Sequence, residues 1–104
     1  MTKDILKAAG IPFQEARYPD PPADLTYAVY FDDVSADGAD LSNCIFTHDI
    51  TVELYEPEQD AEAEAAVEAA LNARGISWTK QARYWLDSIH RYQVIYEFSY
   101  IKKS

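Results

Sequence analysis

The sequence predicts an α+β fold: an antiparallel four-stranded sheet made of two hairpins, in the order α-β-β-α-β-β, with the long helix packed on one face. Three observations predict it. Residues 90–103, HRYQVIYEFSYIKK, place Tyr92, Val94, Tyr96, Phe98 and Tyr100 at every second position, the period of a strand with one buried face. Residues 44–56 repeat that period with Phe46, His48, Ile50, Val52 and Leu54. Between them, Ala63, Ala66, Val67, Ala70, Leu71 and Arg74 recur at three- and four-residue spacing, the period of a helix.

The elements follow in order. Thr2 reads as the N-cap of a short helix that Gly10 stops, with Ile5, Leu6 and Ala9 on its apolar side. Pro12, Pro19, Pro21 and Pro22 then argue for an extended connector without regular structure, so residues 1–25 are read as a helix plus a proline-rich arm and 26–104 as the core of one domain. Residues 26–34 alternate as a strand, and Ser35–Asn43 has turn composition, giving the first hairpin. Pro57 ends the next strand and suits a first helical turn, and Glu58, Asp60, Glu62 and Glu64 sit at the positive end of the helix dipole. Gly75 stops that helix. Residues 76–87 read as a third strand with Trp78, Tyr84, Trp85 and Leu86, and Ser88 and Ile89 turn the chain into the closing strand.

Charge is distributed unevenly. Of 104 residues, 1–73 hold sixteen acids and three bases, whereas 74–104 hold two acids and six bases. A subunit so polarised can meet a copy of itself acid to base, while its acidic part repels nucleic acid. There is no apolar run of membrane-spanning length and no signal-peptide pattern, so the expectation is a protein made and kept in a cytoplasm, with no membrane partner. The single Cys44 excludes an internal disulfide and a cysteine zinc site.

Catalytic chemistry finds little support. Cys44 and His48 share a strand face but stand roughly 13 Å apart, beyond hydrogen-bond reach, and His48 reads as a core histidine with a backbone partner. His90 lacks a second ligand at usable spacing. Asp32 with Asp33, and Asp49 with Glu53, are pairs that eighteen acids produce by chance. The glycines occupy turns and caps, so no phosphate-cradling loop exists. No catalytic, metal or cofactor residue is expected.

Taken as an ordered pattern, Ile50-Thr-Val-Glu-Leu-Tyr-Glu-Pro, the Glu- and Ala-rich helix to Gly75, the strand Trp78–Leu86 and the closing Tyr92-Gln-Val-Ile-Tyr-Glu-Phe-Ser-Tyr-Ile-Lys resemble the small tail-terminator and tail-completion proteins of long-tailed bacteriophages and prophages. The resemblance covers about residues 26–103. It implies a non-enzymatic virion protein, assembled in the bacterial cytoplasm, that caps the tail tube as a ring, commonly a hexamer, and meets the head connector. Its partners would be itself, tail-tube proteins and connector proteins. The charge pattern suggests the subunit contact: Asp37, Asp40, Glu58, Glu62 and Glu68 against Lys80, Arg83, Arg91, Lys102 and Lys103. The alternatives are a neighbouring head-completion or minor capsid protein, an acidic DNA mimic that inhibits a DNA-binding protein, and a small enzyme.

Overall fold

The computed structural model describes residues 1–37 and 45–103, with Asp37 and Lys103 described by backbone alone. Cys44 and Asp40 lie outside the described residues. The elements are α1 (Thr2–Ala9), β1 (Phe13–Glu15), β2 (Tyr27–Asp37), β3 (Ile45–Glu56), α2 (Ala61–Ala73), β4 (Trp78–Lys80), β5 (Tyr84–Leu86) and β6 (Arg91–Lys103). They form one mixed six-stranded sheet in the order β1-β2-β3-β6-β4, with β5 pairing a second stretch of β6.

The three long strands are its frame. β2 pairs antiparallel with β3 from Tyr27↔Tyr55 to Asp37↔Ile45, and β3 with β6 from Glu56↔Tyr92 to Ile45↔Lys103. The two-residue period of β6 turns Val94, Tyr96 and Phe98 inward, and that of β3 turns Ile50, Val52 and Leu54 the same way. Ile5 and Leu6 of α1, with Val67, Ala70 and Leu71 of α2, close over this face to make one core. Each large side chain so buried contributes ~1.5–3 kcal/mol. Among the described residues both helices lie on that one face, and none lies on the opposite face of the sheet.

The expected antiparallel four-stranded sheet under one long helix is overturned. The sheet has six strands and is mixed, and two short helices cover it. Part of the proline-rich arm is itself a strand: β1 runs parallel to β2, with Phe13 opposite Ala28. Pro12 permits this because its carbonyl, the one backbone group it has to offer, accepts from the Ala28 amide at 2.9 Å. Residues 76–87 do not form one strand. They divide into β4 and β5 around Gln81–Arg83, where the chain leaves the ladder and Arg83 reaches back to α2. Strands of three residues are too short to show a period, so their existence is decided by neighbours distant in sequence.

The helix starts also differ. Met1, with no side-chain hydrogen bond, occupies the N-cap of α1, and Thr2 is a buried first-turn residue. Pro57 precedes α2 altogether; Asp60 is the cap, its carboxylate accepting from the Ala63 amide at 3.0 Å. Gly10, at φ 73°, and Gly75, at φ 67°, take the left-handed conformation that ends each helix.

Single hydrogen bonds fix which way the backbone groups of the outer strands point. The Ile95 carbonyl accepts from Gln81 on the β4 side, so the backbone groups of odd-numbered residues of β6 face that edge and those of even-numbered residues face β3. In β2 the Tyr30 carbonyl and Ala28 amide bond toward β1, so there the even-numbered residues face outward.

Candidate functional site

The residues expected at a subunit contact separate into two groups: those used within the chain and those left on the surface. Lys80 and Arg83 belong to the first. At the end of β3, Glu56 continues the inward row of Ile50, Val52 and Leu54 and is fully buried. Glu64 stands three residues before Val67 on the apolar side of α2 and is buried beside it. Arg83 donates from Nη2 to Glu64 Oε2 at 2.7 Å and places Nε 3.5 Å from Glu56 Oε1. The Lys80 Nζ lies 2.8 Å from both Glu64 Oε1 and Glu68 Oε2, and the Tyr96 hydroxyl donates to Glu68 Oε2 at 2.6 Å. Three carboxylates, two cations and a phenol thus clamp α2 to the sheet through the β4–β5 connection.

The cluster is not evenly balanced. Burial pushes the Glu56 carboxyl up to about 7, and its hydrogen bond with Glu64 adds to the rise. The Asp60 amide donates to Glu56 Oε1, while Oε2 has no partner among the described residues. Burial also acts on Glu64 and Glu68, but hydrogen bonds from Lys80, with Arg83 for Glu64 and Tyr96 for Glu68, outweigh it and hold both below the usual carboxylate value. Burial and the contact with Glu68 raise the Tyr96 hydroxyl, so it stays a proton donor.

Arg91 is likewise used internally. It is 8% exposed, donates to the carbonyls of Pro22, Ala23 and Leu25 at 2.7–2.9 Å, and lies over the Tyr27 ring at 4.9 Å. The proline-rich arm is fastened to the sheet by this one side chain, helped by Tyr18 edge-on to Tyr27 and Phe13 tilted against Tyr30.

Of the remaining candidates, Glu58 and Glu62 are exposed near the start of α2, and Lys102 is exposed toward the end of β6. Asp37 and Lys103 stand opposite the same β3 residue, Ile45, at the far end of the three long strands. Asp40 lies outside the described residues.

His48 departs from expectation. Its partner is the carboxylate of Asp32, 3.0 Å from Nδ1, and its ring stacks on Tyr100 at 4.6 Å. A diagonal across the β2–β3 ladder brings Asp32 and His48 together, which neither residue's position in sequence discloses. Glu56 and Glu64 were missed as well, although each continues a buried periodicity that was plain in its own element. Among the described residues no three metal-ligating side chains gather. An open cleft of about 860 Å³ is lined by residues of β2, β3 and β6 together with Ile76 and Trp78; its Ser99 hydroxyl donates to Asp49 at 2.6 Å.

No protein-family model and no curated protein matches the chain. The fold is similar to that of a chain in the solved virion of a native gene transfer agent particle, with a TM-score of 0.63 and 18% identity, over 96% of this chain and 84% of that one.

Proposed function

We propose that this chain is a non-enzymatic structural subunit of a phage-like particle: a tail-terminator or tail-completion protein that assembles with itself as a ring on the tail tube and joins it to the head connector. The observation that carries this reading is the likeness, nearly end to end, to a chain of a gene transfer agent virion. Two further features support it. The helix-free face of the sheet carries Asp33, Asp49, Glu53 and Glu97, and across residues 27–35, 45–55 and 91–101 its strand positions hold one base, Arg91, which is folded onto Tyr27. Turned toward the lumen of a ring, such a face would keep passing DNA from adhering by like-charge repulsion. The second feature is the pair of long strands that continue beyond the cover of the helices, where a neighbouring subunit can reach them.

The DNA-mimic alternative finds less support at the start of α2. It needs an exposed row of carboxylates, and between residues 56 and 68 Glu56 and Glu64 are buried while Glu64 and Glu68 are neutralised by Lys80 and Arg83. A head-completion or minor capsid role fits the same fold likeness and is separated by experiment. Purified protein is mixed with isolated tail tubes and, in parallel, with DNA-filled heads, and both are imaged by electron microscopy. A ring at one end of the tubes is expected; attachment to heads alone would overturn the tail assignment, and attachment to neither would overturn the particle reading.

A further inference from the structure

Two strand edges have no partner among the described residues. β1 covers β2 only to Tyr30, and β4 covers β6 only to Phe98, yet the strands run on to Asp37 and Lys103. By the backbone phase of each strand, the outward N–H and C=O groups are those of Asp32, Val34 and Ala36 on β2 and of Ser99, Ile101 and Lys103 on β6. A bare edge of this length is a template for another strand, and soluble monomers ordinarily block it. Here the edges carry charged residues and also present Val34, 53% exposed, and Ile101, 67% exposed.

Charge selects the occupant. Residues 31–37 hold three aspartates and no base, and 99–103 hold two lysines and no acid. Two β6 edges brought together would oppose lysine to lysine, and two β2 edges aspartate to aspartate. Only β6 against β2 joins unlike charges, and like charges directly opposite on paired strands are destabilising. We infer that the β6 edge of one copy pairs with the β2 edge of the next, so that the sheet continues from subunit to subunit. This contact rests on the ring reading and deepens it. β2 and β6 both run antiparallel to β3, hence parallel to each other, and a rotation about an axis near the strand direction preserves that direction. The new pair is therefore parallel. It is also heterologous, so each added copy leaves one edge of each kind until the ring closes.

The test uses proline at outward-facing positions, where it removes an edge donor and obstructs docking but takes no hydrogen bond from the β3 ladder. Wild type, Val34→Pro and Ile101→Pro are compared by native mass spectrometry and sedimentation from micromolar to millimolar concentration, with circular dichroism to verify folding. Wild type is expected to assemble, and each variant alone to stay monomeric, its association weakened about 100-fold or more by the loss of two or three hydrogen bonds. Mixed in equal amounts, the two variants should form a dimer and nothing larger, since Val34→Pro retains a sound β6 edge and Ile101→Pro a sound β2 edge. Rings of the single variants as tight as wild type would overturn the edge contact and leave the ring reading standing. A wild type that stays monomeric both in solution and on tail tubes would overturn both, and one that stops at dimers would overturn the head-to-tail arrangement. Should proline prevent folding, Asp33→Lys and Lys103→Glu, two strand positions of the same parity, serve instead: each is expected to weaken assembly, and the double variant to recover it. No effect from either single change would overturn the pairing.

Discussion

The two ends of the sheet are built from the same three strands and differ in everything that surrounds them. At the near end both edges are closed, by β1 and by β4 with β5, one face lies under two helices, and the ionic cluster and Arg91 tie the pieces together. At the far end the strands continue with edges that no described residue pairs and with Val34, Ile45 and Ile101 exposed, and they help stretch the molecule to 48 × 27 × 22 Å. The near end carries the core; the far end is the part that we propose a neighbouring copy covers.

That division can be broken most severely at Arg91. Arg91→Ala removes three hydrogen bonds from a buried guanidinium and its contact with Tyr27, releasing residues 22–25 from the sheet. A loss of about 3 kcal/mol is expected in urea denaturation, together with faster proteolysis within residues 16–25. A loss below about 1 kcal/mol would show that the arm is held by Phe13 and Tyr18 instead.

Arg83→Ala comes next. It leaves Glu64 with Lys80 alone and removes the cation nearest the buried Glu56, an uncompensated charge in a poorly solvated place. Because the guanidinium is 30% exposed, water screens part of the interaction, and about 2 kcal/mol is expected, not the full cost of breaking a buried pair. Arg83→Lys should recover only part of this, since an ammonium cannot reproduce the fork that spans Glu56 and Glu64.

Glu56 sharpens the comparison through pH. Its carboxyl rises from 4.5 unfolded to about 7 in the fold, so its stabilising contribution is complete below pH 4.5 and is lost as pH rises through 7. Glu64 and Glu68, held low, behave oppositely, and their contributions fade only in acid below 4.5. Between pH 5 and pH 8 the slope therefore belongs to Glu56, and wild type should lose stability across that interval. Glu56→Gln keeps an acceptor for the Asp60 amide without ionising, so it should flatten the curve and leave the variant ~1–2 kcal/mol more stable than wild type at pH 8. An unchanged slope in the variant would assign the pH dependence elsewhere.

How legible this division was in the sequence depends on the range of the interaction. β2, β3, α2 and β6 could be read because Tyr92 to Tyr100, Ile50 to Leu54 and Ala63 to Leu71 repeat over enough residues to declare a period and a buried face. β1, β4 and β5 could not, because three residues declare nothing and Phe13–Glu15 is a strand only because Ala28–Tyr30 lies beside it. The candidate contact residues were chosen by charge, which is visible, but their availability depends on folding, which is not. Lys80, Arg83 and Arg91 looked as free as Lys102 until Glu64, Glu68 and three arm carbonyls were found beside them. Glu56 and Glu64 show the converse: each sat on a face already identified as buried, and following the period one step further would have flagged both.

The smallest expected effect tests the far end most directly. Ile101→Thr removes exposed apolar surface from a β-branched position and replaces it with a residue of similar strand preference, so monomer stability should change by no more than about 0.5 kcal/mol. Hydrogen exchange on the monomer, at concentrations too low for association, supplies the matching measurement. The amides of Val34 and Ile101 point away from β3 and should exchange almost unprotected, whereas those of Tyr96 and Phe98, bonded into the β3 ladder beneath the helices, should exchange only on global unfolding. The two classes lie within one continuous strand, Phe98 and Ile101 three residues apart, so the contrast does not depend on comparing separate elements. Strong protection of Ile101 in the monomer would mean that its edge is already covered within the chain, and the far end would have no free strand to offer a neighbour.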